Sequence, residues 1–216
     1  MENPTSRLVD AGAAEICSAV VSERRWDTSV ATTISQVASP PVLLAAAMAV
    51  QAAFVRDASA WFWAAAYVVC AVPVPVAYLL RQIRHETVAD LEIGRREERL
   101  RPQLVTAAFL GLGWIVLLMG SAPPPMSNLA GILWIQATVI LVVTVFWKIS
   151  VHCATAAVAA MLTWRLFGAA VPAFLGVGVL AWARWRLGRH TLAQVLGGVL
   201  LGIAVFLAAF RAGPRL

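Results

Sequence analysis

Three arginines and a histidine crowd into one stretch between two apolar segments, Ala183-Arg184-Trp185-Arg186-Leu187-Gly188-Arg189-His190-Thr191-Leu192-Ala193-Gln194. Five residues separate Arg184 from His190, and Gln194 follows His190 by four. On a helix that starts at His190, Gln194 lies one turn further along the same face. Its amide can then accept a hydrogen bond from one imidazole nitrogen and leave the other facing the arginines. An imidazole held in this way beside fixed cations is a nucleophile suited to a phosphate. A band of positive charge at a membrane interface is the competing reading of the same residues.

Two other stretches carry comparable groups. Lys148-Ile149-Ser150-Val151-His152 sets a lysine, a hydroxyl and an imidazole where one apolar segment ends and the next begins. A lone histidine is more often structural than catalytic. A lysine and a histidine together at a membrane boundary favour function, because ionisable groups are costly there. The segment Arg81 to Pro102 is the most charged of the chain and includes Arg95, Arg96, Arg99 and Arg101. On a helix Arg95 and Arg99 share a face and Arg96 nearly joins them. Taken alone, this segment reads as a solvated loop with Glu–Arg pairs.

Composition sets the class. The 216 residues are 61% hydrophobic and 13% charged, which is too apolar for an ordinary soluble domain. The first long apolar run begins near Pro41 after a polar leader, so no signal peptide is expected. The net charge of +6 is concentrated between apolar runs, a placement that suits a phosphate-bearing lipid better than nucleic acid. Cys17, Cys70 and Cys153 have no CxxC spacing and read as apolar fillers, with no disulfide and no zinc site. No Asp or Glu follows Glu98, so the last 118 residues lack the oxygen ligands with which a magnesium-dependent transferase holds its metal. No metal or cofactor is expected.

Residues 1–38 form a polar leader, in which Ala11 to Trp26 is either an interfacial helix or a loosely packed segment. Residues 39–216 hold seven apolar runs, some near the lower length limit for crossing a bilayer. The expected fold is all-α, an integral membrane bundle of six or seven transmembrane helices, with Pro73 and Pro75 kinking the second run. Consecutive runs pair as hairpins. The stretches ending at Pro102, His152 and His190 therefore emerge on one face and can form a single cationic cup with two imidazoles. Arginines there would bind the phosphoryl oxygens, one histidine would attack and the other would protonate the leaving alkoxide.

These residues resemble the type 2 phosphatidic acid phosphatases, which share a core with vanadium haloperoxidases. The family pattern is a Lys with six residues to Arg-Pro, then Pro-Ser-Gly-His, then Ser-Arg with five residues to His and three more to Asp. In this chain Arg184, His190 and Gln194 match the third part, with Ala183 in place of Ser and Gln194 in place of Asp. Ile149-Ser150-Val151-His152 keeps the Ser and His of the second part, and Arg101-Pro102 supplies the first, with Gly94 at the Lys position. The resemblance covers roughly residues 90–200. It implies that His190 forms a phosphohistidine and that His152 is the general acid. It also implies that Arg184, with Arg99 and Arg101 or neighbours such as Arg96, and Ser150 hold the phosphate; Lys148 joins them on its position beside His152. Gln194 would orient His190 without offsetting its charge, which implies a slower enzyme or a shifted pKa.

The expected function is metal-independent hydrolysis of a lipid or polyprenyl phosphate. The expected partners are that substrate and membrane lipids, with no nucleic acid. The alternative is a non-catalytic binder or carrier of anionic lipid on the same scaffold. Thirteen of the 17 Lys and Arg residues fall on the side of the three stretches, which places the site on the cytoplasmic face of the cell membrane by charge, whereas members of the family commonly face outward.

Overall fold

The computed structural model describes residues 26–84 and 96–212, except the side chains of 96, 97 and 212. Most of the expected leader helix from Ala11, together with Gly94 and Arg95, lies outside the described residues. Among those residues the chain is all-helical. The helices are α1 Trp26–Val37, α2 Pro40–Phe54, α3 Ser59–Ala71, α4 Pro73–Arg84, α5 Arg96–Met119, α6 Pro124–Phe146, α7 Val151–Phe167, α8 Ala170–Arg186 and α9 Leu192–Ala212.

Local chemistry sets the boundaries. Prolines open α2 and α6 at their first positions, where no backbone N–H is needed. The second apolar run is interrupted at Val72, just before Pro73, as its prolines dictate. Ser150 caps α7, its hydroxyl accepting the Cys153 N–H at 3.4 Å, and Gly168 ends α7 in the left-handed conformation at φ 69°. The charged segment departs from expectation: it is not a loop as far as Pro102. Helix α5 starts at Arg96 and carries Pro102 inside it. Arg96, Glu97, Glu98, Arg99 and Leu100 are good helix formers, and the helix runs through Pro102 into the apolar run that follows.

Four helical stretches are long and apolar enough to cross a membrane: Ser59–Arg84 (α3 with α4), Glu98–Met119, Pro124–Phe146 and Leu192–Arg211. Helices α1 and α2, bent by 50° at their junction, make a fifth if counted as one span. Helix α7 is apolar but has only 17 residues, at the short limit for a span. Large apolar side chains such as Val69, Leu104, Val142, Leu196 and Leu200 face outward. In water they would form an exposed patch far larger than soluble proteins tolerate, and a lipid environment accounts for them.

Two close packings fix the bundle. Trp114 of α5 and Trp134 of α6 stack with ring centroids 4.9 Å apart, and each ring lies against a glycine of the other helix, Gly131 and Gly111. Helix α9 approaches α7 through Gly198 and Gly202, where a Cβ would run into the carbonyls of Ser150 and Ala154. The main core (Met48, Tyr67, Leu117, Met126, Leu129, Leu162, Phe206) fills the end of the bundle where α5, α7 and α9 finish. The opposite end, where those three helices begin, is open and polar.

Candidate functional site

The stretch from Arg184 to Gln194 is two hydrogen-bonded motifs set back to back. Helix α8 closes with the Gly188 N–H on the Trp185 carbonyl at 2.9 Å and the Arg189 N–H on the Arg184 carbonyl at 3.2 Å. This is a Schellman turn, and it requires the positive φ of 65° that Gly188 adopts. Helix α9 opens with a capping box: the Thr191 hydroxyl accepts the Gln194 N–H, and the Gln194 side-chain oxygen accepts the Thr191 N–H, both at 3.3 Å. His190 is the residue between them.

The same Gln194 oxygen lies 3.2 Å from His190 Nδ1. A carbonyl oxygen only accepts, so Nδ1 carries the proton and Nε2 keeps its lone pair. The expected His190–Gln194 contact is present, but for a different reason. Helix α9 does not start at His190, and the cap rather than a shared helix face brings the two together. His190 is 5% exposed. Burial first, then the charges of Arg99, Arg184 and Lys148, push its pKa down to about 3, opposed only by the Gln194 hydrogen bond. The imidazole is therefore neutral at physiological pH.

The cations come from three parts of the chain. Arg184, in the last turn of α8, is 1% exposed and donates from Nη1 to the Ser35 hydroxyl at 2.7 Å. Arg99 is buried in the first turns of α5. Lys148 follows α6, and burial, with Arg99, Arg184 and Arg189 nearby, holds its ammonium below the usual lysine range. His152 is in the first turn of α7, joined to α9 by the Ser150 N–H bond to the Gln194 carbonyl at 3.2 Å.

Two spaces meet at His190. An inner cavity of about 700 Å³ is lined by Arg99, His152, Arg184, Arg189 and His190, and by apolar residues that include Leu44, Val76, Leu110, Leu133 and Ile140. A more open outer pocket of about 530 Å³ is lined by Lys148, Arg189, His190, Thr191 and Gln194. The inner space is amphiphilic, with its charge at one end. Of the residues singled out in the sequence, the structure brings together Arg99, Lys148, His152, Arg184, His190 and Gln194. Arg101 is exposed and lines neither space. Two residues from Arg99, it points to another side of α5. Ser150 is fully buried with its hydroxyl used in the cap, and it too lines neither space. The Arg96 side chain lies outside the described residues.

Helix α1 belongs to the leader, where no candidate site residue was placed, yet it closes one wall. Thr32, Ser35 and Gln36 line the inner cavity, and Asp27 holds Arg186 through two hydrogen bonds of 2.8 and 2.9 Å. The recurrence of Thr28, Thr32, Ser35 and Ser39 at intervals of four, three and four residues was the available signal, since it draws a polar stripe on a helix. Nothing local in the sequence ties Asp27 to a residue 159 positions away.

A depressed His190 pKa links stability to pH. As pH falls from about 6.5 towards 3, the unfolded chain takes up a proton at His190 that the folded protein does not. Its contribution to stability is therefore complete above pH 6.5 and is lost towards pH 3. Thermal denaturation in detergent from pH 7.5 to 4 should show a falling midpoint, with a shallower fall for His190→Gln. Equal slopes for the two proteins would contradict a buried neutral imidazole.

Compared with known proteins, the chain matches no family model, no curated protein and no solved structure.

Proposed function

We propose that this protein is a metal-independent phosphatase acting on a lipid or polyprenyl phosphate, with a core of the type 2 phosphatidic acid phosphatase kind. The observation that carries the proposal is the placement of His190. Its Nδ1 is engaged by Gln194, and the residue lines a cavity that is cationic at one end and apolar at the other. A phosphate at headgroup level would lie among Arg99, Arg184 and Arg189, whose guanidinium groups match its oxygens. Nε2 forms the N–P bond as the bond to the alcohol oxygen breaks, and His152 gives that oxygen its proton. Water then attacks phosphorus and passes a proton to His152, which frees His190 and releases inorganic phosphate. The first step needs a protonated His152, a form that the charge of the bound phosphate favours. The proposal extends to a bundle of six or seven spans in the cell membrane, with the site on the cytoplasmic face as the distribution of basic residues favours.

One observation favours a second reading, a non-catalytic binder of anionic lipid. The side chain on His190 is an amide already engaged in a helix cap, and no carboxylate follows Glu98 to offset an imidazolium. Phosphate release from a panel of lipid monophosphates and diphosphates, measured in EDTA, separates the two. Release by the wild type and its loss in His152→Ala supports the phosphatase, and release from no lipid at any pH rules it out. Gln194→Glu bears on the same point. Glutamate at this position keeps the capping box and puts a carboxylate on Nδ1. It should raise turnover about tenfold by stabilising the charge that His190 acquires in attack. Unchanged or lower turnover in a folded Gln194→Glu would mean that this charge does not limit the rate.

A further inference from the structure

Two arginines in the last turn of α8 hold helix α1 at two points. Arg184 donates from Nη1 to the Ser35 hydroxyl at 2.7 Å, and Arg186 grips the Asp27 carboxylate from Nε and Nη2. Two residues apart on α8, their side chains leave the helix on different sides. Their partners are eight residues apart on α1, about 12 Å along its axis. The two contacts differ in environment. Ser35 and Arg184 are each 1% exposed, whereas the Asp27 and Arg186 side chains are partly exposed. Ile34 and Ala38 pack α1 against the cluster of Ala156, Ala160, Val177 and Leu180. Apolar contact of that kind seats a helix without direction, and the two-bond ion pair adds the direction.

Given that Arg184 holds a phosphate, as both the phosphatase and the lipid-binder readings have it, we infer that helix α1 is a splint for that arginine. Ser35 sets the plane of its guanidinium, and the Asp27–Arg186 clasp holds α1 where Ser35 can do so. A guanidinium is planar, with its N–H donors in a fixed fork, so an anchored Nη1 sets where the others lie. Arginine otherwise samples many rotamers, and ordering it only on binding lowers affinity. Ser35 moves that ordering into folding, so the fork is oriented before a ligand arrives. Ser35 and Arg184 both line the inner cavity, which puts the anchored fork in its wall. Ser35 is thus a positioning residue that acts through Arg184, and Asp27 acts one step further back.

The test is equilibrium binding of a labelled single-chain alkyl phosphate to the purified full chain in EDTA, with phosphate release from the same lipid measured in parallel. Ser35→Ala should weaken binding about tenfold or more, the size of a lost hydrogen bond to a charged group. Asp27→Asn, on the partly exposed pair, should weaken it about threefold. In an Arg184→Gln background the Ser35→Ala loss should vanish to within about twofold, because the fork is already gone. Arg99 and Arg189 stay in that background and keep binding measurable. A merely structural serine would cost affinity in both backgrounds. Thr33→Ala is the control and should bind as the wild type does. Its hydroxyl bonds to the Ser29 carbonyl at 3.1 Å, and it lines neither space. Wild-type affinity in Ser35→Ala, or the same tenfold loss with Arg184→Gln, overturns the inference. Asp27→Asn removes nothing from the core, so it reads the clasp even if Ser35→Ala fails to fold, and wild-type affinity there also overturns the inference. Binding that Ser35→Ala weakens, without phosphate release by any form, would remove the phosphatase reading and leave this one standing. No binding of the alkyl phosphate by the wild type would remove both.

Discussion

His190→Ala is expected to lower phosphate release by about 10⁴-fold or more, with the fold preserved. The Schellman turn that ends α8 and the capping box that starts α9 are built from Arg184, Trp185, Gly188, Arg189, Thr191 and Gln194. None of those hydrogen bonds uses the imidazole, so helix capping survives its removal. What is lost is the Nε2 lone pair that the Gln194 contact leaves free. A phosphohistidine is stable in alkali and labile in acid, which gives a second readout. Briefly quenched wild type incubated with labelled substrate should retain base-stable label, and His190→Ala should retain none. Turnover by the variant within tenfold of wild type would eliminate His190 as the nucleophile.

The second large effect lies at the helix contact beneath the site. Gly198→Val places a branched side chain where even a Cβ would sit 2.5 Å from the Ser150 carbonyl oxygen. That atom is backbone at the start of α7 and cannot swing aside, so α9 must move away. The cost is that of overpacking a tight interface, about 1–3 kcal/mol or more. The shift also strains the 3.2 Å bond from the Ser150 N–H to the Gln194 carbonyl and moves His190 relative to His152. Misplacing a reacting group by about 1 Å can cost about 10²-fold in rate, and a loss of that order is expected. Gly176→Val on α8 is the control, because a Cβ there meets nothing within 4 Å. Equal stability and activity in the two variants would mean that the close approach of α7 and α9 does not position the site.

Much of this organisation was legible in the sequence. The seven apolar runs all fold as helices, because hydropathy and proline placement are local signals. The pairing of runs into hairpins was enough to bring Arg99, Lys148, His152 and His190 to one end of the bundle. The spacing of His190 and Gln194 pointed to their contact, although the Thr191–Gln194 capping box that makes it went unread. Other features depend on distant partners. The sequence pattern that singled out Arg101-Pro102 and Ser150 says nothing of where those side chains turn, and Arg101 faces away while the Ser150 hydroxyl caps α7. The clasp of Asp27 on Arg186, and of Ser35 on Arg184, joins segments 159 and 149 positions apart.

His190 and Arg189 line both the inner cavity and the more open outer pocket, and so form the partition between two rooms. In an enzyme of the proposed kind, hydrolysis would divide one amphiphile into two products that belong in different phases. The alcohol would already lie among apolar side chains and could leave sideways into lipid. The phosphate would need only to slip past two side chains, both able to hydrogen-bond to it, to reach water. Each product would depart by its own door, so neither would have to cross the other's medium.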